Sequence, residues 1–383
     1  MKSSLPRLPF CLLTAGLILT LLIWFLFSER YMTSKSPSQD QKSSVIDSTD
    51  ACPRDIISSV VQRYSVHWRK QEINYKYFRT LLKSSCSGYS VAVITQANTP
   101  LGSMILYDGE KRKPLTVTPA IFHTFAKDLP IGNVIETCAV VGNGGILANS
   151  SCGHKIDSAK FVFRCNLPPM NGFEKDVGNR TDLVTVNPSI LLEKFAGLME
   201  HRWPFVESLH PYGNSLMLIP AFSYGLNTPV SLRAVYTLED FQSPVHPIFL
   251  NPKYLSNLAG FWHARGLHPV RLSSGFILAS LALEVCIDVQ LYGFWPFSQH
   301  PDGRQAVNNH YYDNRESKKK VHTMPVEFDH LLQLHEQGIL RLHLGDCLPN
   351  DRQTASSTQT TSRAQTNRCG HAGATTTQTP TNS

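Results

Sequence analysis

"CAVVGNGGILANSSCGHKIDSAKFVFRCN", residues 138–166, decides the fold. An apolar run, CAVVG, enters a turn built on Gly142, Asn143, Gly144 and Gly145, and a second apolar run closes on Arg164-Cys165-Asn166. A strand, a glycine turn and a returning strand are how a dinucleotide-binding unit begins. The match to GxGxxG is only partial, because Leu147 stands where the third glycine belongs. The second strand also lacks the terminal acid that holds ribose hydroxyls. Arg164 suits a phosphorylated ribose, so an NADP site stays open on this stretch alone. The other reading gives Asn143 and Asn166 a direct task. A carboxamide offers both a donor and an acceptor, and two of them at adjacent strand ends converge on one ligand. Ordinary turn chemistry favours Asn at such places as well.

Outward from this stretch, strand-like runs recur at 182–188, 215–222 and 288–295, with helical patterns at 189–202 and 275–287. Apolar residues first take up helical spacing from about Ile56. Apolar strands alternating with helices predict an α/β fold, a Rossmann-like, mostly parallel sheet with helices on both faces. Ligands of such sheets bind at the carboxyl ends of the strands.

The flanks read differently. Residues 9–27, "PFCLLTAGLILTLLIWFLF", are uncharged and about long enough to span a bilayer. The run exceeds the h-region of a signal peptide and no small-x-small cleavage site follows it, so it is read as an uncleaved type II signal anchor. That places a cytosolic tail at 1–8, a Ser-rich stem at 28–55, a lumenal domain at 56–347 and a disordered, Ser/Thr-rich tail at 348–383. Two sequons, at Asn149 and Asn179, agree with a lumenal domain. Eight cysteines lie beyond the anchor, where disulfides persist, and no CxxC pairs any of them as a zinc site. The formal net charge of +7 is scattered, and a lumenal protein meets no nucleic acid.

Residues 138–185 resemble the large sialyl motif of the animal sialyltransferases, and "HPVRLSSGFILASLALEVCIDVQ" at 268–290 resembles their small motif. "HYYDN" at 310–314 is similar to the third motif, and "HTMPVE" at 322–327 carries the His-x4-Glu of the very small one. "RCNLPP", "YGFWPF" and the form HxMPxE point to the α-2,8 branch. The resemblance implies a sialyltransferase variant of the GT-A-like fold in the Golgi membrane. It implies transfer of sialic acid from CMP-sialic acid to a glycan hydroxyl with inversion and without a cofactor or metal. The absence of any Asp-x-Asp agrees with a monophosphate leaving group.

By the same matching, His322 is the general base and His310 a supporting residue. Asn143, Asn166, Ser273, Ser274, Gly275 and Trp295 bind the donor. Ser274 departs from the branch's usual Thr. Ser273-Ser274-Gly275 opens a helix, where free N–H groups attract a phosphate and where Ser is favoured as a cap. Glu327 is either the carboxylate that orients the loop of His322 or a first-turn helix carboxylate. The implied bridges are Cys138–Cys286 and Cys152–Cys347. Cys165 is expected free, Cys52 with Cys86 is a guess, and Cys369 has no evident partner.

Residues 106–137 hold four Lys and Arg against four Asp and Glu, so a long anionic product has nothing to track. Addition of one or a few sialic acids is expected. "NTPLGSMILYDGE" resembles members acting on gangliosides, and sialylated O-glycans of glycoproteins remain the alternative. A catalytically silent glycan-binding relative, the oligomeric state (a homodimer included) and clipping of the stem stay open.

Overall fold

A computed structural model describes residues 53–132, 134–303, 305–313 and 324–347. The anchor, the tail, most of the stem, both Cys52 and Cys369, and His322 lie outside these residues. Among the described residues no helix is long and apolar enough to cross a membrane.

A short antiparallel pair, β1 (Met104–Ile105) and β2 (Leu115–Thr116), precedes the main sheet. That sheet comprises β3 (Ile135–Val141), β4 (Phe161–Arg164), β5 (Leu183–Thr185), β6 (Leu216–Ile219), β7 (His246–Phe249), β8 (Cys286–Tyr292) and β9 (Arg341–His343). The order is β7-β6-β5-β4-β3-β8-β9, and every pairing is parallel. The chain therefore winds outward from β3 to one edge and returns to pair β8 with the other side of β3. The reversal between β3 and β8 is a topological switch point, where such sheets open a crevice.

Side chains alternate across a strand, and both faces here are covered. Cys138 and Val140 of β3 enter one apolar core, while Ala139 and Val141 enter the other. The first core is closed by α1 (Pro53–Tyr64), α2 (Glu72–Cys86), and further on by the helices Pro252–His263, Ser274–Val285 and Met324–Glu336. The second is covered by α3 (Asn227–Asp240) among others. In chain order the remaining long helices are α4 (Pro252–His263), α5 (Ser274–Val285) and α6 (Met324–Glu336). In α5, all ten residues from Phe276 to Val285 are buried, eight of them apolar, with Ser280 and Glu284 the exceptions.

The expected five strands are present, and β7 and β9 extend the sheet at its edges. The single helix read at 189–202 is broken. It ends at Lys194, gives way to a tight turn over Ala196–Leu198 with Gly197 at φ 63°, and a new helix starts at Arg202. Helix α1 starts at Pro53, inside the span read as stem.

Two disulfides close the domain, Cys138–Cys286 and Cys152–Cys347, spanning 148 and 195 positions. In the chain-entropy account each is worth about 5 kcal/mol. Cys165 is a buried free thiol. Cys86 is free too and fully buried at the end of α2, which corrects the guess that it pairs with Cys52.

Candidate active site

A cleft of about 360 Å³ opens at the carboxyl edge of the sheet, over the switch point. Its walls are the segments that leave the strands. Gly142 to Gly144 follow β3, Cys165 and Asn166 follow β4, Asn187 follows β5, and Gly293 to Phe297 follow β8. The first turn of α5 and the start of α6 complete it.

The glycines of the opening stretch are explained by backbone packing. A Cβ at Gly142 or Gly144 would lie 2.7 or 2.6 Å from the Gly293 carbonyl oxygen, and one at Gly145 only 2.3 Å from that of Asn308. Gly142 and Gly144 instead donate their N–H groups to Tyr292 and Gly293, at 2.8 and 3.0 Å. The turn thus sews the β3 loop to the β8 loop, which accounts for its glycines without a dinucleotide. Arg164 does not read a phosphorylated ribose either. It is wholly buried, with Nε and Nη2 donating to the carbonyls of Arg180 and Val177 and to Thr181 Oγ1. The NADP reading falls with it.

The carboxamides do converge. Asn143 Nδ2 donates to the Cys165 carbonyl at 2.8 Å, which aims its Oδ1 inward, and that oxygen is buried with no partner among the described residues. Asn166 sits at φ 61°, a left-handed conformation that Asn tolerates. Its Nδ2 reaches Ser274 Oγ at 3.5 Å and its Oδ1 accepts from Thr185 Oγ1 at 3.3 Å. Ser274 Oγ in turn donates to Asn187 Oδ1 at 3.3 Å. Asn187 was not singled out in the sequence, although its signal was legible: a third Asn at a third strand end, directly before the Pro that starts a helix.

Ser273 caps α5, its Oγ accepting from Phe276 N at 3.2 Å. The N–H groups of Ser274 and Gly275, in the first turn, have no intrahelical acceptor and face the cleft wall with the positive end of the dipole. Gly275 leaves space for the Phe294 ring, whose Cε1 would lie 3.0 Å from an added Cβ. The N–H of Ser273 itself donates to Glu327 Oε1 at 2.8 Å. Glu327 is thus both a first-turn carboxylate of α6 and the clasp between α6 and the serine turn. Burial pushes its carboxyl above the usual range and the Ser273 bond draws it back.

Trp295 lines the cleft but is only 6% exposed, packed edge-on against Phe297 and Phe328, with its indole N–H donated to the Gln299 carbonyl at 2.8 Å. It shapes the wall and keeps no donor for a ligand. His310 also lines the cleft, stacked on Tyr312, with Nδ1 2.8 Å from Asp313 Oδ2. An antiparallel bridge between Gly144 and His310 carries it to the β3 turn. Met324, two residues beyond His322, reaches the same cleft. Asn149 and Asn179 lie exposed on the surface, outside it. Arg271, a lining residue that the sequence reading passed over, brings the cleft a guanidinium.

A family model described as glycosyltransferase family 29 (sialyltransferase) matches residues 93–339. The Homo sapiens protein named alpha-2,8-sialyltransferase 8F is 43% identical over 295 residues, 76% of this chain and 74% of its own length. The Xenopus tropicalis alpha-N-acetylneuraminide alpha-2,8-sialyltransferase is 44% identical over 288 residues, 75% of this chain and 83% of its own. A crystal structure of a mammalian sialyltransferase is 22% identical with a TM-score of 0.46, covering 67% of this chain and 90% of that one. On the family match and these relatives, the chain belongs to glycosyltransferase family 29, the sialyltransferases.

Proposed function

We propose that the protein is an inverting α-2,8-sialyltransferase, moving sialic acid from CMP-sialic acid to the 8-hydroxyl of a terminal sialic acid. The observation that carries this is the 43% identity to a relative named for that linkage, over three quarters of the chain. The cleft supports it chemically. The inward Asn143 oxygen and the carboxamides of Asn166 and Asn187 suit the ribose and cytosine, and the first turn of α5 suits the phosphate.

In the reaction, the anomeric carbon of the donor loses its bond to the phosphate oxygen, which leaves with the electron pair as CMP. The acceptor oxygen forms the new bond from the opposite face and gives its proton to His322. Imidazole suits that step because its ordinary pKa lies near neutrality. His310, held by Asp313, supports the substrates. Metal has no part in this scheme, since the helix terminus stabilises the leaving charge. The preferred acceptor is a ganglioside, extended by one or a few residues, and the balanced charge of 106–137 favours this over polysialylation. The enzyme sits in the Golgi membrane through residues 9–27, its catalytic domain lumenal.

The test is transfer by the full chain from CMP-sialic acid, with EDTA present, to a sialylated glycolipid and to a sialylated O-glycoprotein. Wild type is compared with His322→Ala. Product from wild type alone, faster on the glycolipid, is expected. No transfer by a wild-type chain that still binds CMP would sink the reading and leave a glycan-binding relative.

A further inference from the structure

Among its described lining residues the cleft has one Lys or Arg, Arg271, two positions before the Ser273 cap. Its Nη2 donates to Ser223 Oγ at 3.1 Å, and its Cζ lies 5.4 Å from the Tyr224 ring centroid. Ser223 follows β6 and is buried, and its hydroxyl is shared with Asp108. The Asp108 segment is docked there by two further bonds. Gly109 N donates to the Ser223 carbonyl at 2.9 Å, and Gly225 N to Glu110 Oε1 at 2.7 Å. One corner of the guanidinium is therefore fixed, while its Nη1 and Nε meet no acceptor among the described residues.

The place of this group along the cleft matters. Strands in a sheet lie about 4.8 Å apart, so β6, three strands from β3, puts the anchor of Arg271 roughly 14 Å from the Asn143 turn. A nucleotide seated on Asn143, Asn166 and the α5 terminus leaves the far end for whatever accepts the sugar. An acceptor for α-2,8 transfer already carries a sialic acid, whose carboxylate is separate from the hydroxyl that reacts. The free Nη1 and Nε donors of a preset guanidinium suit a carboxylate in charge and hydrogen bonding.

We propose that Arg271 binds the carboxylate of the acceptor's terminal sialic acid, with Ser223 and Asp108 holding the guanidinium in position. The proposal rests on the α-2,8 reading above and names what selects its acceptor. A neutral, galactose-ended glycan would leave the Nη1 and Nε of Arg271 without an acceptor, which disfavours it.

The test uses the full chain in detergent and a short sialyllactoside, supplied as the free acid and as its neutral methyl ester. Wild type, Arg271→Gln and Arg271→Lys are compared for kcat and KM on acceptor and donor. Wild type is expected to lose about 10- to 100-fold in kcat/KM on the ester, the worth of a charge-assisted bond. Arg271→Gln loses as much on the acid, mainly in acceptor KM, and nothing further on the ester. Its KM for CMP-sialic acid stays unchanged, and Arg271→Lys falls between. Equal use of acid and ester by wild type overturns the proposal, and needs no variant to fold. So does an Arg271→Gln loss of the same size on both acceptors, or one that falls on the donor KM. Transfer by wild type to unsialylated lactoside, or to nothing, overturns the α-2,8 reading itself and this proposal with it.

Discussion

The backbone N–H of Ser273 and the carboxylate of Glu327 meet at 2.8 Å, so one bond joins the cap of α5 to the first turn of α6. The serine turn is therefore set by a residue 54 positions away. Glu327→Ala leaves that N–H without an acceptor and is expected to cost about 1–3 kcal/mol. Glu327→Gln keeps an oxygen in place and recovers most of it. Thermal unfolding with and without CMP checks both variants, and equal melting of Ala and Gln variants would contradict the assignment.

Asn143→Ala removes a cleft-wall carboxamide whose Oδ1 is buried with no partner among the described residues. CMP affinity is expected to fall about 10-fold, for one lost neutral hydrogen bond, and loss of the bond to the Cys165 carbonyl to cost about 1 kcal/mol of stability. Calorimetric titration of CMP into the full chain reads this directly.

Gly144→Ala tests the packing account of the glycine turn. Its Cβ would meet the Gly293 carbonyl, and backbone cannot step aside as a flexible side chain can. A destabilisation of about 1–3 kcal/mol is expected, measured by denaturant unfolding. An unaffected variant would return the turn to a ligand-binding role.

Glu284 is 4% exposed, and burial pushes its carboxyl up to about 7, against an ordinary 4.5. Tyr254 donates to its Oε1 at 2.8 Å, while Lys83 and Arg79 of α2 draw the value down. Because the folded state holds this proton more tightly than the unfolded chain, the stabilisation is full below about pH 4.5 and is lost as pH rises through 7. Glu284→Gln cannot ionise. Wild type should lose about 3 kcal/mol relative to the variant between pH 4.5 and pH 8, read by unfolding at both ends.

Cys138→Ser with Cys286→Ser opens the bridge between β3 and the start of β8. Loss of about 5 kcal/mol in the chain-entropy account is expected to lower the melting point steeply. Thermal unfolding of the full chain in detergent checks it.

Much of this was legible because long apolar runs announce themselves. The strands from β3 to β6, β8 and the mostly apolar α5 are periodic or continuous, and the strand-end asparagines stand out against them. The edges were not legible. β7 is four residues with Pro247 inside, tolerable only beside solvent, and β9 reads Arg-Leu-His over three residues. The site was legible where the chain is local, as in Ser273 to Gly275. Arg271 escaped notice because its setting comes from Ser223, 48 positions earlier, and from Asp108 beyond it. The glycines misled for a related reason: what crowds them, Gly293 and Asn308, is distant in sequence. Trp295 was placed on the cleft wall, but only packing reveals that its N–H is already used.

The winding of the sheet also sets a timetable for synthesis. A chain synthesised from its N-terminus can assemble β3 to β7 as they emerge, yet β3 keeps one bare edge until β8 arrives, 148 positions after Cys138. Through that interval a strand that lies inside the finished sheet is an unpaired template, the kind of edge that recruits other chains. Cys152 waits longer still, with Cys86 and Cys165 as available wrong partners until Cys347 appears. The nascent domain therefore depends on being shielded and kept exchangeable until its last strand is delivered.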